Sequence, residues 1–77
     1  MVVNTNWIGI PAPTSPLEAL VQIRSRHRDA PATLEPISQG VLVRFLEPQM
    51  AITPGQSAVF YRGNEVLGGG TIHRVLS

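Results

Sequence analysis

Arg24, Arg26 and Arg28 alternate through the stretch IRSRHRD, residues 23–29, and supply three of the six basic residues of a chain that has no lysine. On an extended strand, residues two apart share a face, so three guanidinium groups would stand in a row at steps of about 6.6 Å. Like charges so placed repel, and a polyanion relieves the repulsion, because guanidinium forks match phosphate oxygens with paired bonds. The same spacing also describes an ordinary solvated strand face with Asp29 or Glu18 as counter-charge. Gln56 directly follows the tight turn Thr53-Pro54-Gly55. Its amide can bond a phosphate, a 2′-hydroxyl or a base edge, or brace its own turn. Little else here can do chemistry. With no cysteine there is no thiolate, disulfide or cysteine-based metal site. His27 and His73 lie far apart with no carboxylate at ligand spacing, so they read as structural or surface residues and no metal site is expected. Gly68-Gly69-Gly70 is followed by no helix start, which argues against a phosphate-cradling loop. No nucleophile–base pair or carboxylate pair is evident, so no catalytic residue is assigned.

The scaffold that must hold these groups is small. Seventy-seven residues make one domain, 1–77, and a chain of this size buries only about 60% of the surface its unfolded form exposes. A formal net charge of +1 does not mark a nucleic-acid binder, so any RNA contact must come from local clustering of arginines. The start MVVNTNWIGIPAP lacks a basic opening and a long apolar run, so no signal peptide is expected. No apolar stretch approaches the roughly 20 residues that span a bilayer. Absence of cysteine favours a reducing, cytoplasmic setting.

Seven prolines and seven glycines fall between short apolar runs, as turn punctuation does in an all-β domain. Val2–Ile8 reads as a first strand or an extended lead-in, followed by a stiff connection through Pro11, Pro13 and Pro16. The segment 17–28 has two readings. Ser15-Pro16-Leu17-Glu18 fits a helix start, with Leu17, Leu20, Val21 and Arg24 on one helical face. Equally, Leu17, Ala19, Val21 and Ile23 alternate with Gln22, Arg24, Arg26 and Arg28 as a strand, which agrees better with neighbours that all look like strands. Ala32–Ile37 runs to a hairpin turn at Ser38-Gln39-Gly40. Val41, Val43 and Phe45 then alternate with Leu42, Arg44 and Leu46 as a well-buried strand. Pro54-Gly55 suits a type II turn. Ser57–Tyr61, a turn at Arg62-Gly63-Asn64, a return begun by Glu65–Leu67 and completed by Thr71–Leu76 follow, the glycines marking a bulge or a close backbone approach. Phe45, Phe60, Val43 and Val59 are core candidates, and Trp7 is expected to pack within the chain. Five or six short antiparallel strands in so few residues point to a small β-barrel, since closure removes exposed edges.

These stretches, taken in order, resemble one family. Asn6-Trp7, Ile23-Arg24-x-Arg26, Ala30-Pro31-Ala32-Thr33, Glu47-Pro48-Gln49, Thr53-Pro54-Gly55-Gln56-Ser57-Ala58-Val59-Phe60-Tyr61 and Leu67-Gly68-Gly69-Gly70 look like the C-terminal domain of bacterial tRNA-specific 2-thiouridylases. The resemblance covers nearly the whole chain, and TPGQSAVFY with LGGG is its most specific part. It implies a small six-stranded antiparallel β-barrel similar to the second domain of elongation factors. The parent enzymes place sulfur on C2 of the wobble uridine, using ATP and a cysteine persulfide in an N-terminal nucleotide-binding domain. The family's tRNA-contacting positions fall on Arg24 with its neighbour Ser25, and on Gln56, and Arg26 also matches the family's pattern. Ser25 departs from the Tyr often found there and His27 from the Gln, so at Ser25 any contact shrinks from base stacking to one hydroxyl bond.

The chain is therefore expected to be a fragment or detached copy of an accessory domain, with the catalytic domain, ATP and persulfide elsewhere. Two functions remain open. In one, the barrel holds tRNA, with the anticodon region as contact, through Arg24, Ser25, Arg26 and Gln56. In the other, it is a structural or protein-interaction module packing on the remaining enzyme domains or a sulfur-carrier protein. Arginines already paired with carboxylates, or an exposed apolar patch, would favour the second.

Overall fold

The computed structural model describes residues 1–23, 29–47, 49, 52 and 54–74. Six strands follow one another: β1 (Val2–Trp7), β2 (Leu17–Gln22), β3 (Ala30–Ile37), β4 (Gly40–Phe45), β5 (Ser57–Arg62) and β6 (Glu65–Ile72). They close into an antiparallel barrel in the order β1-β4-β3-β2-β5-β6, with β6 returning to β1. Among the described residues no helix is long and apolar enough to cross a membrane.

The segment begun by Leu17 is a strand, not a helix. Its capping signature at Ser15-Pro16 is local, whereas β2 pairs with β3 from Leu17↔Leu34 to Val21↔Ala30 and with β5 from Leu20↔Tyr61 to Gln22↔Val59. Alternation then does what period 2 requires: Ala19 and Val21 are buried and Glu18 is exposed. The strand expected over 17–28 is seen as far as Gln22, and residues 24–28 lie outside the described residues. Pro36 sits where one neighbouring ladder has run out, past the Leu17↔Leu34 pair that opens β2, so its missing N–H costs little there. Pro31 lies at the start of β3, past the Ala32↔Phe45 pair, where its carbonyl accepts from the Leu46 N–H at 3.1 Å.

Two register shifts shape the wall. Between Val3↔Thr71 and Asn6↔Gly69, β1 advances three residues while β6 advances two, so β1 carries one extra residue. Asn4 takes it up with φ of 52°, a conformation asparagine tolerates better than most residues. Between Phe60↔Gly68 and Tyr61↔Val66, β6 carries the extra residue, Leu67. That bulge turns Leu67 fully inward beside buried Gly68, and the freed Leu67 carbonyl accepts N–H bonds from Ile8 at 2.8 Å and Gly9 at 3.2 Å. β6 runs unbroken from Glu65 through the glycines to Ile72, with the bulge and close approach expected of them, and Leu76 lies outside the described residues. The glycines allow close approach: a methyl on Gly68 would lie 2.3 Å from the Asn6 carbonyl oxygen.

The core is Val2, Ala19, Val21, Ala32, Leu34, Val41, Ala58, Phe60, Leu67 and Ile72. Trp7 packs on it from the β1 end, its ring centroid 5.4 Å from that of Phe60, so the expected packing of Trp7 within the chain holds. Two expectations need correction. Val59 is not core: with Ala58 and Phe60 inward, period 2 turns it outward, and it stays half-buried. β4 is less buried than its alternation suggests, since only Val41 is fully enclosed and Leu46 lies beyond the strand, 75% exposed.

Candidate nucleic-acid interface

Antiparallel order sorts the connections onto two ends of the barrel. At one end lie the β1–β2 connection and the tight turns at Ser38-Gln39 and Gly63-Asn64. At the other, β2 ends, β3 begins, β4 ends, β5 begins and β6 ends. Gln22 pairs with Val59, the third residue of β5, so the chain leaves β2 at the end where β5 starts. The connection containing residues 23–29 and the turn before Gln56 thus join the same end of the wall.

Arg24, Ser25 and Arg26, together with His27 and Arg28, lie outside the described residues. Gln56 is half-buried, and its main chain is clamped: the Ile72 N–H donates to the Gln56 carbonyl at 2.8 Å, and the Gly55 N–H donates to the Ile72 carbonyl at 2.8 Å. Gly55 has φ of 94°, as the second central position of a type II turn demands. The turn is therefore fixed to the end of β6, and the residue projecting from it starts from a rigid base.

Sequence reasoning passed over the neighbours of Gln56 at this end. Arg74, just past β6, is exposed, and among the described residues no carboxylate pairs with it. The Met1 amine donates to the Arg74 carbonyl at 2.7 Å, and the N–H groups of His73 and Arg74 donate to the Met1 carbonyl at 2.8 and 3.4 Å. Burial, and then the positive charge of Arg74, hold the amine's pKa below its ordinary 8.0. The other described arginines are engaged, Arg44 with Glu35 at 2.9 Å and, more loosely, Arg62 with Glu65 at 3.8 Å. Both pairs are solvent-exposed and contribute little stability. Nothing in the sequence ties Met1 to Arg74; only barrel closure brings the two together.

Between these groups the barrel opens into a hollow of about 760 Å³, whose apolar lining includes Val21, Ile23, Val43, Phe45, Ile52 and Ile72 and whose polar lining is Arg44, Gln49 and Arg74. The side-chain amide of Gln49 donates to the Glu47 carbonyl at 3.0 Å. His73 is exposed, and among the described residues no three His, Asp or Glu side chains gather as metal ligands.

Residues 1–72 match the family model described as the aminomethyltransferase beta-barrel domain. Curated relatives bear the name tRNA-specific 2-thiouridylase. One from Chlorobium luteolum is 49% identical over 80 residues, covering 97% of this chain and 22% of the relative. One from Trichormus variabilis is 49% identical over 74 residues, covering 95% and 21%. A third, from Nostoc sp., is 49% identical over 72 residues, covering 92% and 20%. The chain spans about a fifth of the length of the curated relatives it matches. The family's description names one transferase and the relatives another, so membership identifies a barrel rather than a reaction. On the match across nearly its whole length, and on the closed barrel that its strands form, the chain belongs to the aminomethyltransferase β-barrel domain family.

Proposed function

We propose that this chain is the accessory tRNA-binding barrel of a tRNA 2-thiouridylase, positioning tRNA while a separate ATP-dependent domain thiolates the wobble uridine. One observation carries the reading: the connection that contains Arg24, Ser25 and Arg26 joins the barrel at the end where Gln56 and Arg74 stand. Arg24 and Arg26 take phosphate oxygens, Ser25 adds one hydroxyl bond and Gln56 a local amide contact. Contacts to backbone position an RNA without reading its sequence. The work of this barrel is therefore orientation. Persulfide transfer needs a thiolate, and this chain has no cysteine. The persulfide and ATP chemistry belong to the remaining domains, which are partners together with tRNA and a sulfur carrier, in the cytoplasm.

Titration of tRNA against the wild-type chain and the Arg24→Ala/Arg26→Ala variant at several salt concentrations tests this. Loss of two phosphate contacts lowers the slope of log affinity against log salt by about 1.8. Equal affinities and equal slopes for the two proteins sink the proposal. Exposed apolar residues support a second reading, a module that packs on protein: Ile8 is 72% exposed and Leu46 75%. It predicts no tRNA binding by the isolated barrel and measurable binding to the remainder of a thiouridylase.

A further inference from the structure

We propose that the open end of the barrel is a subsite for one unstacked nucleotide of single-stranded RNA, its base in the hollow against Phe45 and its phosphate on Arg74. The inference rests on the RNA-binding reading and gives it a specific pocket.

The hollow exists because one seam of the barrel is short. β1 and β4 share the single register pair Val2↔Val41, and the remaining partners of β1 belong to β6. β4 runs on to Phe45 with a strand partner only on its β3 side among the described residues. Val43 and Phe45 therefore stay half-buried and border the open space. A volume of about 760 Å³ falls within the range of small-molecule sites, roughly 300–1,000 Å³. The walls are mostly aliphatic and aromatic, with Arg44, Gln49 and Arg74 as the polar lining.

The rim supplies the second half of the recognition. The chain just before Arg74 is pinned there, the His73 N–H donating to the Met1 carbonyl at 2.8 Å. Arg74 has no carboxylate within ion-pair distance among the described residues, whereas Arg44 in the same wall is neutralised by Glu35. A guanidinium beside a largely apolar cavity is complementary to an anion carrying a flat apolar ring. A nucleotide has that form. Gln49 at the rim brings an amide able to meet a base edge. A base inside a duplex could not enter, while a single-stranded base can leave its stack and lie on an aromatic face.

The test uses this chain with isotope-labelled Ile methyl groups and a single-stranded RNA hexamer. Uridine monophosphate, tripolyphosphate and octanoate are the comparison ligands. Shifts at Ile23, Ile52 and Ile72 should move with the hexamer. Arg74→Gln, an exposed change that leaves the core intact, should weaken hexamer binding about tenfold. Phe45→Leu keeps apolar bulk and removes the ring face; it should weaken hexamer binding and leave tripolyphosphate binding unchanged. If hexamer and tRNA bind while these methyl groups stay still and Arg74→Gln binds as wild type, the subsite is overturned and the RNA-binding reading stands. If neither RNA binds at low salt, both are overturned. Uridine monophosphate binding as tightly as the hexamer would assign the hollow to free nucleotides, and preferential uptake of octanoate to a lipid-like anion; either result overturns the proposal.

Discussion

Replacing Gly68 by alanine tests whether the glycine run exists to let two strands touch. A methyl group at this position would stand 2.3 Å from the Asn6 carbonyl oxygen, 3.0 Å from the Trp7 Cα and 3.1 Å from the Trp7 Cε3. Relaxed C···O contacts lie at about 3.3–3.6 Å, so the β1–β6 seam must open by about 1 Å at Trp7↔Gly68. That pair carries the tryptophan resting on Phe60, so the strain passes directly into the core. Overpacking of this kind costs about 1–3 kcal/mol, and exchanging glycine for alanine within a strand returns about 0.5–1 kcal/mol. The net loss is up to about 2.5 kcal/mol, which in a domain of this size lowers the melting temperature by up to about 20 °C. Thermal unfolding followed by circular dichroism measures it, and Trp7 emission reports whether the ring has lost its seat. A variant that melts at or above wild type, with unchanged emission, would refute close approach as the reason for this glycine.

Phe60→Ala removes a fully buried ring and the partner of Trp7, and should cost about 3–5 kcal/mol; urea unfolding should find it largely unfolded without denaturant. The lowered pKa of the Met1 amine means that the unfolded chain binds more protons than the folded one in the interval just below 8.0. Unfolding free energy should therefore rise with pH through that window, and acetylation of the amine should remove this rise from melts taken across it.

Much of the fold is legible in the residues because alternation and turn chemistry agree with the final pairing. Pro54-Gly55 forecasts a positive φ, and Ala58 and Phe60 take the inward positions of β5. The helix-like opening at Ser15-Pro16 misleads because it speaks only for its own turn, whereas β2 answers to two neighbouring strands. The bulge at Leu67 is hidden for a different reason. A run of three glycines says that something comes close, but not which residue is left over when two strands of unequal length are brought into register. Val59 shows the limit of reading apolarity without phase: two adjacent bulky residues cannot both face inward on a regular strand. At the candidate site, Gln56 is readable through its turn, whereas Arg74 looks like one more charge near a terminus until β6 is laid beside β1.

Because the longest ladder of β1 is with β6, the first strand of this barrel finds its main neighbours in the last. A nascent chain can form the β3–β4 hairpin as soon as Phe45 is out, yet its first strand has to wait until the return from Asn64 has been synthesised. Contacts so distant in sequence are slow to form. Closure of this cylinder thus waits for β6, and until then the apolar flank of Val2 and Trp7 stands open to whatever chaperone or neighbour meets it first.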